Sequence, residues 1–378
     1  MKIAIGIDVH KDKCATHAVY AGMGEPRQRH RDFLDSLNKD FRRLPSDAVG
    51  MKKLADRIRD HEADILIENS TVSHNVYWML TNLGLRVTVA HAADLYRITL
   101  SKAKNDDNDA MELAGYMRRR MTGEVEFAVS HIPSQDVLLH RELCRFDIGD
   151  RTELSALKRR IRSHMLIRGL KLRHDYSDIT CAWALRELKA TGDHMLCLDA
   201  AKAECIKARR RQTEKMIRYR MEGSRMFDII WSIPGFGVLS AAYVTCMVDD
   251  IKRFRDGRAF AASMGITPRL DESADKPKNC GISRRGDPDL RRLMCQAAFV
   301  HIRHAEDSFI AEKYRRLKAR GKHHNEALVA CANSMARMIW AMVTKDTKYS
   351  ADPKALAKAR VMADSDEIEE AMEVAETE

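Results

Sequence analysis

The chain has 378 residues, room for about two domains of ~100–200 residues each, and is 45% hydrophobic and 32% charged. Lys and Arg (65) outnumber Asp and Glu (55), a net charge of +10 with His neutral. No apolar run reaches the ~18–20 residues of a membrane span, and nine scattered cysteines without a Cys-x-x-Cys pair fit neither a disulfide framework nor a zinc knuckle.

Met1-Lys2-Ile3-Ala4-Ile5-Gly6 opens into a strand over Lys2–Asp8 rather than a signal peptide, so a reduced, cytosolic, nucleoid-associated protein with no membrane partner is expected. Cys14–Tyr20 reads as the hairpin partner of that strand, and Ala63–Glu68 and Leu85–Ala90 as further buried strands. Helices are expected at Val49–His61, Val72–Leu83 and Asp107–Arg120. An antiparallel pair followed by βα units predicts an α/β domain with a mixed sheet over residues 1–130. From 134 to 225 the pattern is almost continuous helix. Within Arg151–Arg220 there are 18 bases against eight acids, so these helices can pair as a coiled coil or lie along a nucleic-acid backbone. A third region, 226–350, is mainly helical around a turn-rich segment at Gly265–Asp287. Residues 351–378 form an acidic tail expected to be disordered. The last sixteen residues hold eight acids and no base, leaving +18 on residues 1–362. A body this basic calls for a polyanion, because Lys and Arg displace counterions from phosphates. Nucleic acid leads; an anionic membrane surface trails.

Four acids stand out. Asp8 closes the first strand on a face shared with Lys2, Ala4 and Gly6, small residues that leave room for something bulky. Glu68 ends another apolar strand, and strand ends of α/β sheets are where such folds place chemistry. Asp106 and Asp109 share one face of the helix opened by Lys104-Asn105-Asp106-Asp107-Asn108-Asp109-Ala110. Taken singly, each has a simpler use as a turn residue, a cap or a first-turn acid. Together, hard carboxylate oxygens suit Mg²⁺, which can activate a nucleophile and stabilise a leaving oxygen.

Gly6-Ile7-Asp8-Val9-His10-Lys11, then Ile67-Glu68-Asn69-Ser70-Thr71, then Lys104–Ala110 followed by Glu112-Leu113-Ala114 resemble the RuvC-like domain, of RNase H fold, in DEDD-type insertion-sequence transposases. The resemblance continues in Gly265-Ile266-Thr267-Pro268-Arg269, Ser273 and Gly281-Ile282-Ser283-Arg284-Arg285-Gly286-Asp287, which look like the family's C-terminal serine transposase domain. It covers about residues 1–350, with Gly24–Lys39 read as an extra loop. The resemblance implies a Mg²⁺ site of Asp8, Glu68, Asp106 and Asp109, and Ser273 as the nucleophile of DNA cleavage and rejoining. It also implies a non-coding bridge RNA pairing with donor and target DNA, and dimers that assemble into a tetramer.

Charge for phosphates is offered by Lys276, Lys278, Arg284, Arg285, Arg291 and Arg292, and by Lys158, Arg159, Arg160 and Arg162. Ile233-Pro234-Gly235-Phe236-Gly237 resembles the hairpin of helix-hairpin-helix modules, where Gly235 and Gly237 would let backbone N–H groups meet a phosphate. A Pro-Gly loop also turns any helix pair. Trp78, Trp183, Trp231 and Trp340 lie among apolar residues and are expected in the core. Two other readings remain: a junction-resolving nuclease in which water attacks, and a nucleic-acid-binding regulator with a decayed site. The latter finds its support in Asn105 and Ala274, where the family commonly has Thr and Gly.

Overall fold

The computed structural model describes residues 1–91, 106–127, 129–271, 278–282 and 286–350. It divides into two compact units, Met1–Pro133 and Ser134–Glu378.

The first unit runs β1 (Lys2–Val9), β2 (Lys13–Tyr20), α1 (Gln28–Phe41), β3 (Arg43–Pro45), α2 (Ala48–Ile58), β4 (Glu62–Glu68), α3 (Ser73–Asn82), β5 (Arg86–Ala90) and α4 (Asp106–Met121). Its five strands lie in the order β3-β2-β1-β4-β5. β1 is antiparallel to β2 and parallel to β4, which is parallel to β5, so the sheet is mixed as the sequence predicted. The Gly24–Lys39 loop is corrected to a helix over most of its length. Phe33, Leu34, Leu37 and Phe41 line one face of α1, and Leu34 and Leu37 are buried.

The two faces of the sheet are covered differently. Ile3, Ile5 and Ile7 point toward Leu37, Met51, Leu54, Ile58, Val76 and Leu80, from α1, α2 and α3. On the other face Ala4 and Leu66 meet Leu113, Tyr116 and Met117 of α4. Gly6 sets the depth of that contact: a Cβ there would lie 2.1 Å from the Ala110 carbonyl oxygen and 2.4 Å from the Ala114 nitrogen. The room left by small residues beside Asp8 is filled by this helix.

In the second unit α5 (Gln135–Ile167) and α7 (His194–Arg220) flank the short α6 (Ala182–Ala190). Then come α8 (Arg225–Trp231), α9 (Val238–Val248), a 3₁₀ turn, α10 (Gly257–Ser263), the β6–β7 hairpin (Pro268–Asp271, Lys278–Ile282), α11 (Pro288–His304), α12 (Phe309–Ala319) and α13 (His324–Thr344). Ser134, Asp193 and Asp287 cap α5, α7 and α11 by accepting from Val137, Leu196 and Leu290 nitrogens. Each such cap is worth about 1 kcal/mol.

α5 and α7 run antiparallel, since Asp147 meets Arg210, Asp150 meets Arg209, and Arg160 meets Asp199. Their inner ends, with Cys144, Ile148, Ile217 and Met221, share one core with Phe227, Tyr243, Phe260, Met294 and Ile339. Their outer halves form a separate core with α6 through Leu154, Leu157, Ile161, Leu185, Leu188 and Ile206. α13 is long and apolar enough to cross a membrane, which the run-length reading did not find. Its buried Cys331, Ala332, Met335, Ala336 and Ile339 make it the central helix of the larger core.

Two tryptophans depart from the core expectation. Trp183 is 67% exposed and Trp231 40%. On α6 the buried stripe is Ala184, Leu185 and Leu188, and Trp183 falls off it. Trp78 and Trp340 are half-buried, their indole nitrogens donating to the Pro133 and Phe254 carbonyls.

Candidate metal centre

β1 and β4 are adjacent and parallel, so their carboxyl ends lie side by side. The Ile7–Ile67 pairing is the last in the ladder, and one residue further on each strand are Asp8 and Glu68. Both side chains leave the sheet at the same level, half-buried. Because α4 presses on Gly6, its first turn stands over the end of β1 and brings Asp106 and Asp109 toward Asp8.

His10, two residues beyond Asp8, closes the cluster. Its Nε2 is 3.0 Å from Asp8 Oδ2 and 3.5 Å from Asp106 Oδ1. One ligand atom from each of Asp8, His10 and Asp106 can be chosen so that all three lie within 4.8 Å of one another. Burial pushes the Asp8 carboxyl above its ordinary value; His10 opposes the rise, and the charges of Asp109 and Asp106 add to it. A carboxylate held up by desolvation and by neighbouring carboxylates is one that a divalent cation would relieve. Hard oxygens with one imidazole are a donor set such a cation accepts, so the residues present fit the metal.

The acid between them is used otherwise. Asp107 is held below the usual carboxylate range chiefly by hydrogen bonds from Arg42, at 2.6 and 3.1 Å. Arg43 adds a contact at 2.9 Å and reaches Asp106 Oδ2 only at 3.8 Å. Thus the helix start is tied to the end of α1 and to β3 through Asp107 while Asp106 and Asp109 face the site. His10, Arg42 and Arg43 were not singled out in the sequence. His10 carries the one available signal, since i and i+2 share a strand face.

Ser273, Lys276, Arg284 and Arg285 lie outside the described residues. Their flanks are fixed within the second unit. Lys278 opens β7, whose strand pairs with β6. Gly286 adopts φ +91°, and a Cβ there would fall 2.6 Å from the Ser263 carbonyl oxygen, so only glycine lets the chain pass. Asp287 then accepts from the Tyr243 hydroxyl at 3.0 Å and from Arg145 at 3.2 Å. At the start of α11, Arg291 donates to the Gly286 carbonyl and Arg292 to Asp289.

The other basic residues divide. Arg160 clasps Asp199 through two nitrogens, and Lys158 pairs with Asp178 at 2.9 Å. Arg162 donates to the Ser177 carbonyl, while Arg159 is exposed. In the Pro-Gly loop, Gly235 has φ +104° and would carry a Cβ only 2.3 Å from the Ala297 carbonyl oxygen, so its lack of a side chain serves packing on α11. The Gly237 N–H donates to Ser240 Oγ.

Comparison with known proteins adds to this geometry. Residues 5–167 match a family model described as a transposase, the DEDD type of IS110 elements. Residues 228–315 match a second, described as the transposase IS116/IS110/IS902 family. The transposase for insertion sequence element IS1328 of Yersinia enterocolitica is 31% identical over 141 residues, 37% of this chain and 42% of that protein. The transposase for insertion sequence element IS1111A of Coxiella burnetii is 38% identical over 122 residues, 32% of this chain and 33% of its own length. A probable family 20 transposase of Pseudomonas aeruginosa is 29% identical over 147 residues, covering 39% of this chain and 44% of the relative. The chain thus spans less than half the length of these curated relatives.

Proposed function

We propose that this chain is a transposase of the IS110/IS116 kind that its two matched family models describe, and that it cuts and rejoins DNA. The DEDD domain implies a divalent metal, and Asp8, Glu68, Asp106 and Asp109 would hold it, with Mg²⁺ the ion we favour. The observation that most supports this is the meeting of Asp8 and Asp106 around His10, with Asp109 near enough to raise Asp8. The bound cation would supply charge to activate a nucleophile and steady a leaving oxygen. His10, hydrogen-bonded to Asp8, orients that carboxylate, and Arg42 with Arg43 anchors the helix that brings Asp106 and Asp109.

Ser273 is the proposed nucleophile. Its Oγ forms a bond to phosphorus, the P–O bond to one sugar breaks, and that sugar leaves as the hydroxyl. Attack by a sugar hydroxyl on the phosphoserine reverses the exchange and rejoins DNA without an outside energy source. Phosphate charge would be met by Lys276, Lys278, Arg284, Arg285, Arg291 and Arg292. A non-coding guide RNA pairing with donor and target, and a dimer that assembles into a tetramer, complete the proposal.

The test is a strand-transfer assay with purified protein, DNA bearing the element's ends, and RNA transcribed from the flanking non-coding segment. A protein–DNA adduct that survives denaturation is expected with the wild type and absent in Ser273→Ala. Cleavage that persists in Ser273→Ala without an adduct would assign the attack to water. Loss of transfer when RNA is omitted, or in EDTA, tests the guide and the metal separately.

A further inference from the structure

The second unit carries a surface site far along the chain from the DEDD acids. Between the end of α5 and the helix α6 lies a broad depression of about 760 Å³, widely open to solvent. Trp183 lines it, two-thirds exposed, with the Arg186 guanidinium 5.0 Å from its ring centroid. Lys171, Arg173 and His174 also line it, beside Leu172 and Thr191, and His174 stands edge-on to Tyr176 at 5.9 Å. One acid reaches the depression, Glu187, and both its oxygens are committed: Oε1 accepts from the Tyr176 hydroxyl at 2.7 Å, Oε2 from the Arg173 backbone at 2.8 Å. Those two bonds tie the loop to the helix. Among the described residues neither Lys171 nor Arg186 has a carboxylate partner.

We propose that this depression binds an unpaired nucleotide, its base stacked on Trp183 and its phosphates held by Arg186, Lys171 and Arg173. A large exposed indole beside Lys171 and Arg186, cations without a carboxylate partner among the described residues, matches the two halves of a nucleotide, a π-face and an anion. Stacking on an exposed ring is open to every base, so the site selects single strands over duplex rather than one sequence over another. A duplex keeps its base faces covered and could use only the cations. The choice of nucleic acid as ligand accords with the proposed function, but the site needs neither the metal nor Ser273.

Titration in EDTA keeps the two readings apart, because chemistry is then silent. Full-length protein is titrated into single strands of about a dozen mixed-sequence nucleotides carrying one 2-aminopurine, one RNA and one DNA, with a hairpin duplex as control. Trp183→Ala is expected to weaken single-strand binding by about fivefold to a hundredfold and to leave duplex binding within about twofold. Trp183→Phe, which keeps a ring, restores most of it. Arg186→Ala lowers the slope of log affinity against log salt by roughly 0.7. A loss confined to the RNA or to the DNA strand names the source of the nucleotide. Single-strand affinities unchanged in Trp183→Ala on both polymers would overturn the proposal, as would an equal loss on the duplex. Because Trp183 is exposed and off the buried stripe of α6, its removal leaves the core intact, and an unchanged melting temperature verifies it.

Discussion

Two groups of aspartates in this chain sit in opposite electrostatic situations. In the second unit Asp147, Asp150 and Asp199 are 1–4% exposed, and each is met by guanidinium groups. Arg151 and Arg210 hold Asp147, Arg209 grips Asp150 with two nitrogens, and Arg160 does the same for Asp199. In the first unit Asp8, Asp106 and Asp109 crowd one another and, among the described residues, have one imidazole and an arginine at 3.8 Å to set against them. Burying a carboxylate costs several kcal/mol unless a cation answers it. Where the chain supplies the cation, the acid fastens α5 to α7. Where the described residues offer only an imidazole and a distant guanidinium, the cluster suits the cation proposed to come from solution.

The largest effect expected from this contrast falls on activity. If Asp8 is a metal ligand as proposed, Asp8→Asn should lower the proposed DNA cleavage on the order of 10³-fold. Its melting temperature without metal should be equal to or above that of the wild type, because a crowded charge is gone. Calorimetry in EDTA beside a cleavage assay measures both. A destabilised Asp8→Asn protein would break the comparison, since Asp8 would then be a structural acid like Asp199.

In the second unit the asymmetry runs the other way. Arg160→Ala leaves Asp199 charged, 2% exposed and without its guanidinium, and should cost about 3 kcal/mol. Asp199→Asn leaves only an arginine whose side chain is 46% exposed and able to rehydrate, so its cost should be about 1 kcal/mol. Urea unfolding of the two variants gives the difference. Equal costs would mean that the pair is held by packing rather than by the need to neutralise a buried acid. Gly6→Ala probes the frame of the proposed metal centre. With its Cβ 2.1 Å from the Ala110 oxygen, α4 must shift, costing about 2–3 kcal/mol and moving Asp106 and Asp109 from Asp8. Cleavage should then fall with stability, unlike in Asp8→Asn.

How much of this was legible beforehand follows from the range over which each signal acts. The strand acids Asp8 and Glu68 could be read because alternation and a run of isoleucines and leucines are local properties. The helix start at Asp106 was legible for the same reason. His10 stood in the quoted motif and was passed over, since only the folded α4 shows that Asp106 comes to it. Helix α1 was hidden by charge: Gln28–Phe41 has four apolar residues on one face amid polar ones, and burial of Leu34 and Leu37 decides the matter. The cluster Lys158–Arg162 reads as a nucleic-acid surface from composition. That Arg160 faces Asp199 depends on the register of α5 against α7, 39 residues apart, which no local pattern encodes. Trp183 fails similarly, because apolar neighbours in sequence do not fix which side of α6 is covered.

Lys158 and Asp178 give the smallest and most pH-specific test. Burial pushes the Asp178 carboxyl up, but hydrogen bonds from Lys158 and from the Thr180 hydroxyl and backbone outweigh it and hold the group at about 2. A carboxyl lowered on folding adds stability that is fully present above its unfolded value, near ~4, and is lost as pH falls toward 2. The side chains are 31% and 43% exposed, so solvent screens the pair and its worth stays below about 1 kcal/mol. Lys158→Met should therefore lower the melting temperature slightly at pH 6 and not at all at pH 2. The same acid titration on Asp8→Asn should move oppositely: wild-type Asp8, raised on folding, costs stability when ionised, so the variant gains over wild type as pH rises past the usual carboxylate range. Opposite pH slopes for one acid in each unit are what the division between answered and unanswered carboxylates requires, and parallel slopes would remove it.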